Sequence, residues 1–332
     1  MKKFLNNSND ITTELLQGYT LAYSDRVKLI SDRIVVRSNP KSKDKVALIT
    51  LGGAGHEPAL SGFVGEGLLD ASVVGDIFAA PGAPRVIEAL RLFKDYAGIV
   101  LVILNHAGDV LNGDMALEAA VKEGINVKKI LTAEDIAAGL GALLDDRRGL
   151  GGCVPLFKVA GAAAEEGKSL EQVLAVAEKF NSSMATLAVT MKTATHPQSG
   201  QYISELADDE MMIGMGQHGE GGSRGPQKIL TADQTAEEMI NRLIPAVKLQ
   251  KNDKAVLIIN GSGATTLMEM YIVFRKAHQV LTNAEIDVVL GRCEEILTVQ
   301  EAAGFQMFLA KLDNETQKYI NAPSNAPYWV TR

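Results

Sequence analysis

The chain has 332 residues, enough for about two hydrophobic cores, and its 46% hydrophobic and 22% charged content is that of an ordinary globular protein. With 33 basic against 40 acidic side chains and a formal net charge of -7, it lacks the basic stripe or patch that a nucleic acid requires. Its richest apolar run, GIVLVIL at 98–104, has the length of a buried strand and falls well short of a membrane span.

From the amino terminus, MKKFLNNSNDITTELL lacks the continuous apolar segment and small-residue cleavage site of a secretory signal, so the chain reads as cytoplasmic. VALITLGG (46–53), ASVV (71–74), GIVLVIL and INVKKI (125–130) are short runs rich in β-branched residues, as strands are. Between them, PRVIEALRLFKDY (84–96) and VLNGDMALEAAVKEG (110–124) have helical spacing, the second closing on Gly124. VPLFKVAGAAAEEG (154–167) and SLEQVLAVAEKFNSS (169–183) form a helical pair, with Ser169 and Gln172 at capping-box spacing. Strand character returns at 183–190, 254–261, 285–291 and 305–312, with helices near 233–248 and 264–279. The alternation predicts an α/β fold: two α/β domains, 1–182 and 183–332, with mainly parallel or mixed sheets covered by helices. The final stretch NAPSNAPYWVTR is expected to dock through Tyr328 and Trp329, the only tryptophan. Cys153 and Cys293, without CxxC spacing, read as reduced thiols.

Ligands of open α/β sheets collect beyond the carboxyl ends of the strands, which directs attention to three segments. In LGGAGHEP (51–58) the glycines permit close backbone approach, and His56 and Glu57 follow at once. Neither this loop nor GSGATT (261–266) fits a Walker A loop or a GxGxxG unit, so a nucleotide site is unsupported and a tight strand-to-helix turn is the competing reading of both. In NHAGDVLN (105–112), Asp109 stands at a helix start, where it serves equally well as a cap or as a general base. In GMGQHGEGG (214–222), His218 lies among five glycines. A neutral imidazole is a nucleophile, and an uncluttered backbone would let a small carbonyl compound reach it; a surface loop in which histidine happens to fall is the alternative. GHE and HGE also pair histidine with glutamate, but HExxH is missing and no Cys/His cluster accompanies them, which argues against a metal. Met211, Met212 and Met215 read as packing.

Taken in order, LGGAGHEP, GEGLLDA, NHAGDVLN, DDRRGLGG, FKVAGAAAEEG and DDEMMIGMGQHGEGG give a chain that resembles the K subunit of dihydroxyacetone kinases along essentially its whole length. The resemblance implies that His218 bonds covalently to the carbonyl carbon of a short ketose as a hemiaminal. It further implies that Asp109 takes the proton of the attacking terminal hydroxyl, that His56 hydrogen-bonds the substrate and assists, and that the backbone at Gly52 and Gly53 contacts the ketose oxygens. No cofactor is expected on this chain. ADP or ATP and Mg²⁺ belong, on this resemblance, to a separate nucleotide-binding L subunit, because the Asp-rich magnesium motif of that module is not found here. A homodimer and an indirect phosphotransferase-system phosphocarrier partner complete the expectation.

Two departures stand out. Where dihydroxyacetone-specific members carry a lysine, this chain has Leu104, and two hydroxyl residues are replaced by Ala79 and Ala80. Losing such donors should cost about 1–3 kcal/mol of binding unless replaced, with His106 a candidate replacement. A four-carbon ketose such as erythrulose, or a coactivator paralogue that senses ketose without phosphorylating it, are the alternatives these changes raise.

Overall fold

The computed structural model describes residues 3–222 and 224–332, so the first two residues of the amino-terminal stretch lie outside it. The elements in chain order are α1 (Ile11–Ala22), β1 (Val27–Ile30), β2 (Ile34–Arg37), β3 (Val46–Ala54), β4 (Ala71–Ile77), α2 (Ala83–Leu92), β5 (Gly98–Leu104), α3 (Ala107–Lys122) and β6 (Val127–Thr132). The helical pair α4 (Cys153–Glu165) and α5 (Leu170–Asn181) follows. Then come β7 (Met184–Lys192), β8 (Glu210–Ile213), β9 (Gln227–Lys228), α6 (Ala232–Ala246), β10 (Lys254–Gly261), α7 (Leu267–Asn283), β11 (Asp287–Glu294) and β12 (Ala303–Leu312). Helix α8 (Asn314–Ile320) and the strands β13 (Ser324–Ala326) and β14 (Trp329–Thr331) end the chain. The fold is α/β, as the alternation of elements predicts.

The first sheet runs β1-β2-β4-β3-β5-β6. Strands β4, β3, β5 and β6 are parallel, and β2 and β1 extend the sheet antiparallel beyond β4. All seven residues of β5 are buried, the state of a central parallel strand covered on both faces, which is why its sequence shows no polar alternation. Helices α2 and α3 pack Val86, Ala89, Leu90, Ala116 and Ala120 into one cluster with Ile49, Leu51, Leu101 and Ile103. The second sheet, β11-β10-β12-β7-β8-β9, is mixed: β10 and β11 are parallel, while β12 is antiparallel to both β10 and β7. Helices α6 and α7 bury Met239, Leu243, Met270 and Val273 against Leu187, Leu257 and Met307. Both begin at threonine caps, Thr231 and Thr266, each in a capping box with Gln234 or Glu269. GSGATT is therefore the turn that leads into the Thr266 cap.

The chain divides into compact units that are not sequential halves. One comprises Met1–Thr132, Cys153–Lys179 and Thr316–Arg332; the other comprises Ala133–Gly152 and Phe180–Glu315. The expected 182/183 boundary lies near the 179/180 crossing, but two segments change sides relative to that expectation. Residues 133–152 join the second unit because their backbone pairs with β7: Thr186 N donates to Glu134 O at 2.9 Å and Ile136 N to Thr186 O at 3.0 Å. The carboxyl-terminal segment joins the first unit, with Asn325 N donating to Glu66 O at 2.9 Å and Tyr328 N to Gly62 O at 3.1 Å. Trp329, 1% exposed, and the edge-on contact of Tyr328 with Tyr23 are the docked tail that the sequence suggests.

Within the first unit, GEGLLDA places a buried charge. Asp70 accepts hydrogen bonds from Arg37 (3.0 Å), Lys41 (2.9 Å) and Leu48 N (2.8 Å), and Arg37 also reaches Glu165 of α4 at 2.7 Å. Lys158 of α4, fully buried, donates to Tyr319 O at 2.7 Å and so ties α4 to α8.

Candidate functional site

The first unit collects Gly52, Gly53, His56 and Asp109 at the carboxyl ends of its parallel strands. Strand β3 ends as Leu51-Gly52-Gly53-Ala54, alongside the turn that follows β4. A Cβ at residue 53 would lie 2.7 Å from Ala79 N and 3.0 Å from Ala79 O, so glycine is what allows the strand to pass that turn. His56 is buried, its ring centroid 5.2 Å from that of Phe78. Glu57, its neighbour, folds back to accept from Gly55 N at 3.0 and 3.2 Å; burial pushes its carboxyl up, against those backbone bonds.

Asp109 is also buried and lies inside the first turn of α3, because the helix begins at Ala107, three residues before the 110 start that the apolar spacing predicts. His106 is the N-cap residue, with extended backbone, and the amide dipoles of the first turn favour an anion at Asp109. Asn112 fastens this helix start to the start of α2: its Oδ1 accepts from Ala83 N at 3.0 Å and its Nδ2 donates to Gly108 O at 2.9 Å. The departures noted in sequence sit in the same cluster. Ala79 abuts Gly53, Ala80 lies beside Gly108, and Leu104, 5% exposed, is the last residue of β5.

In the second unit, His218 occupies the connection between β8 and β9. Met211, Met212 and Met215 are buried there as packing, and the loop turns through left-handed backbone at Gly214 (φ 97°) and Gly219 (φ 78°). The His218 side chain is 30% exposed. Glu220 folds back onto it: Oε2 accepts from His218 N at 3.0 Å, and Oε1 lies 3.4 Å from His218 Nδ1. Burial works against charge on the Glu220 carboxyl, but the His218 side chain and the backbone N–H groups outweigh it and hold the group down at about 2. The carboxylate is thus ionised across the neutral range. In sequence the HGE spacing suggests a metal pair; in the fold the Glu220 carboxylate lies against the imidazole two residues back. The signal, His and Glu at i and i+2, acquires this meaning only once the glycine turns are known.

Residues 17–328 match the Dak1 domain family. The chain belongs to the Dak1 family. It is 37% identical over 315 residues to the dihydroxyacetone-binding subunit DhaK of PTS-dependent dihydroxyacetone kinase 1 from Listeria innocua, covering 95% of each chain. With the dihydroxyacetone-binding subunit DhaK of the PTS-dependent kinase from Lactococcus lactis it shares 36% identity over 330 residues, 99% of each chain. Among solved structures, the dihydroxyacetone kinase operon co-activator DhaQ superposes with a TM-score of 0.91 at 29% identity, over 97% of this chain and 99% of that one. Kinase subunits and a co-activator therefore share the Dak1 architecture described above. Among the described residues of this Dak1 chain, no helix is long and apolar enough to cross a membrane.

Proposed function

We propose that this chain is the ketose-binding subunit of a dihydroxyacetone-type kinase, holding dihydroxyacetone or a close short-chain ketose on His218. The observation that carries this reading is the match to two dihydroxyacetone-binding subunits over nearly the full length of both partners. The local geometry of His218 supports it. With a carboxylate at Nδ1, the proton is drawn to that nitrogen and the lone pair resides on Nε2. Attack of Nε2 on the ketose carbonyl carbon forms the N–C bond, and the carbonyl π pair moves to oxygen, which takes up a proton. The Nδ1 proton leaves through Glu220, so the hemiaminal forms without net change of charge. Glycerol, which has no carbonyl, is excluded by this chemistry.

In the same reading Asp109 accepts the proton of the terminal hydroxyl as that oxygen attacks phosphorus. His56 hydrogen-bonds the substrate and assists the transfer, and the backbone at Gly52 and Gly53 binds ketose oxygens. ADP or ATP with Mg²⁺ on a separate L-type subunit supplies the phosphoryl group, recharged where applicable by a phosphotransferase-system phosphocarrier. The chain acts as a homodimer and works in the cytoplasm. Reconstitution with an L-type subunit tests the proposal: ketose phosphate should form only when both proteins are present, and its formation should fall by about 10²-fold or more with the Asp109→Asn variant.

A second reading has its own observation. The close superposition on a co-activator, together with Leu104, Ala79 and Ala80 in place of polar residues, fits a ketose sensor that binds without turnover. Adduct formation with no phosphorylation by any L-type subunit would select it.

A further inference from the structure

A glycine loop does not hold an imidazole still by itself, because each glycine adds backbone freedom. In the second unit the restraint comes from DDRRGLGG (145–152), a motif that the proposed chemistry leaves without a role. Arg148 donates from Nη2 to Gly214 O at 2.8 Å and from Nη1 to Glu220 O at 3.0 Å. One planar guanidinium therefore spans both ends of the histidine loop. Gly216 N adds a bond to Glu220 O at 2.8 Å. Glycine at residue 216 leaves room for both groups, since a Cβ there would crowd Arg148 Nη1 and Glu220 Oε2 and displace one of them.

Arg148 is itself fixed from behind. Asp135, 1% exposed, places one carboxylate oxygen, Oδ2, against both Nε (2.9 Å) and Nη2 (2.7 Å) of Arg148, a charge-assisted pair. Its second oxygen accepts from Ala137 N at 2.9 Å, and Asp135 N donates to Arg148 O at 3.0 Å. The order of support runs from a buried carboxylate to a fork of donors, to two loop carbonyls, to Glu220, to the imidazole.

We propose that Arg148, oriented by Asp135, is a positioning residue for His218. By fixing the carbonyls of residues 214 and 220 it keeps the Glu220 carboxylate on Nδ1 and Nε2 aimed at the ketose carbonyl; the proposal rests on the ketose reading of His218. Lysine is a poor substitute, since a single ammonium on a flexible stem lacks the planar fork that reaches both carbonyls and Asp135 together.

The test uses the full chain as Arg148→Gln, Arg148→Lys and Asp135→Asn variants, with two readouts. Hydrogen exchange without ketose should show lost protection within 214–222 in Arg148→Gln, with β10 and β12 unchanged. Titration with dihydroxyacetone should show the half-saturating concentration for the His218 adduct raised roughly 10- to 100-fold, the scale expected when a reacting group is misplaced by about an ångström. Arg148→Lys and Asp135→Asn should fall between that variant and the parent in both readouts. Unchanged loop protection and unchanged half-saturation in Arg148→Gln would overturn the proposal, as would a loss of protection spread over the whole second unit. A parent protein that forms no adduct overturns the ketose reading and the positioning role with it. The exchange arm still reports whether Arg148 braces the loop, so the two failures are told apart.

Discussion

At the residue scale, the proposed chemistry divides labour between a nucleophile and a base, and substitutions should separate them. Asp109→Asn keeps size and the helix start but cannot accept a proton, so the ketose adduct should persist while turnover falls by about 10²-fold or more. A phosphorylation rate equal to that of the parent would remove Asp109 as base. His56→Ala should weaken ketose binding by about 1–3 kcal/mol through loss of one hydrogen bond, read by calorimetric titration with dihydroxyacetone. Unchanged affinity and rate would leave His56 a packing partner of Phe78. The candidate histidines and Asp109 were legible in sequence because each follows a recognisable strand or glycine run. Glu220 and Arg148 were not. Glu220 meets His218 through turns at Gly214 and Gly219, and Arg148 contacts carbonyls 66 and 72 residues away, which no local pattern encodes.

At the element scale, the segment 133–152 carries a second testable feature. Glu134 is buried, and its Oε1 accepts from Leu150 N at 2.8 Å and Gly152 N at 2.9 Å, joining the two ends of that excursion. Burial raises its carboxyl from 4.5 to about 7, more than these backbone bonds lower it. The folded chain therefore keeps a proton up to about pH 7 that the unfolded chain releases near 4.5, and stability falls as pH rises through that window. The loss amounts to on the order of 3 kcal/mol. Glu134→Gln, which keeps the acceptor and cannot ionise, should flatten the dependence; thermal melts from pH 5 to pH 8.5 that decline equally in parent and variant would contradict it.

The same scale shows why some elements were read and others not. Strands β3, β5, β10 and β12 announce themselves as apolar runs because they are buried along most of their length. Helix α1 buries only Thr12 and Leu16 among its twelve residues, so little periodicity marks it. Strands β1 and β2 have four residues each and turn at Ser31 (φ 56°), too short to stand out.

For the whole molecule, the alternating α/β order was legible and its partition into units was not. A linear reading keeps neighbours together, whereas backbone pairing carries 133–152 to one sheet and 316–332 to the other unit's body. The first unit also depends on the buried cluster around Asp70, whose members come from β2, the β2–β3 connection, the segment before β4 and α4. Asp70→Ala strands Lys41 and part of the Arg37 charge in the interior, and should cost about 3–5 kcal/mol in urea denaturation. A loss below about 1 kcal/mol would mean that the cluster is solvated and only locally important.

The most direct measurement is peptide-mapped mass spectrometry of the full chain after incubation with dihydroxyacetone and, separately, erythrulose, with calorimetric titration of the same samples. A reversible gain on the peptide containing His218, lost together with calorimetric binding in His218→Ala, is the predicted result. Tight ketose binding that survives His218→Ala, or no binding of either ketose to the parent, would contradict a covalent ketose site at His218.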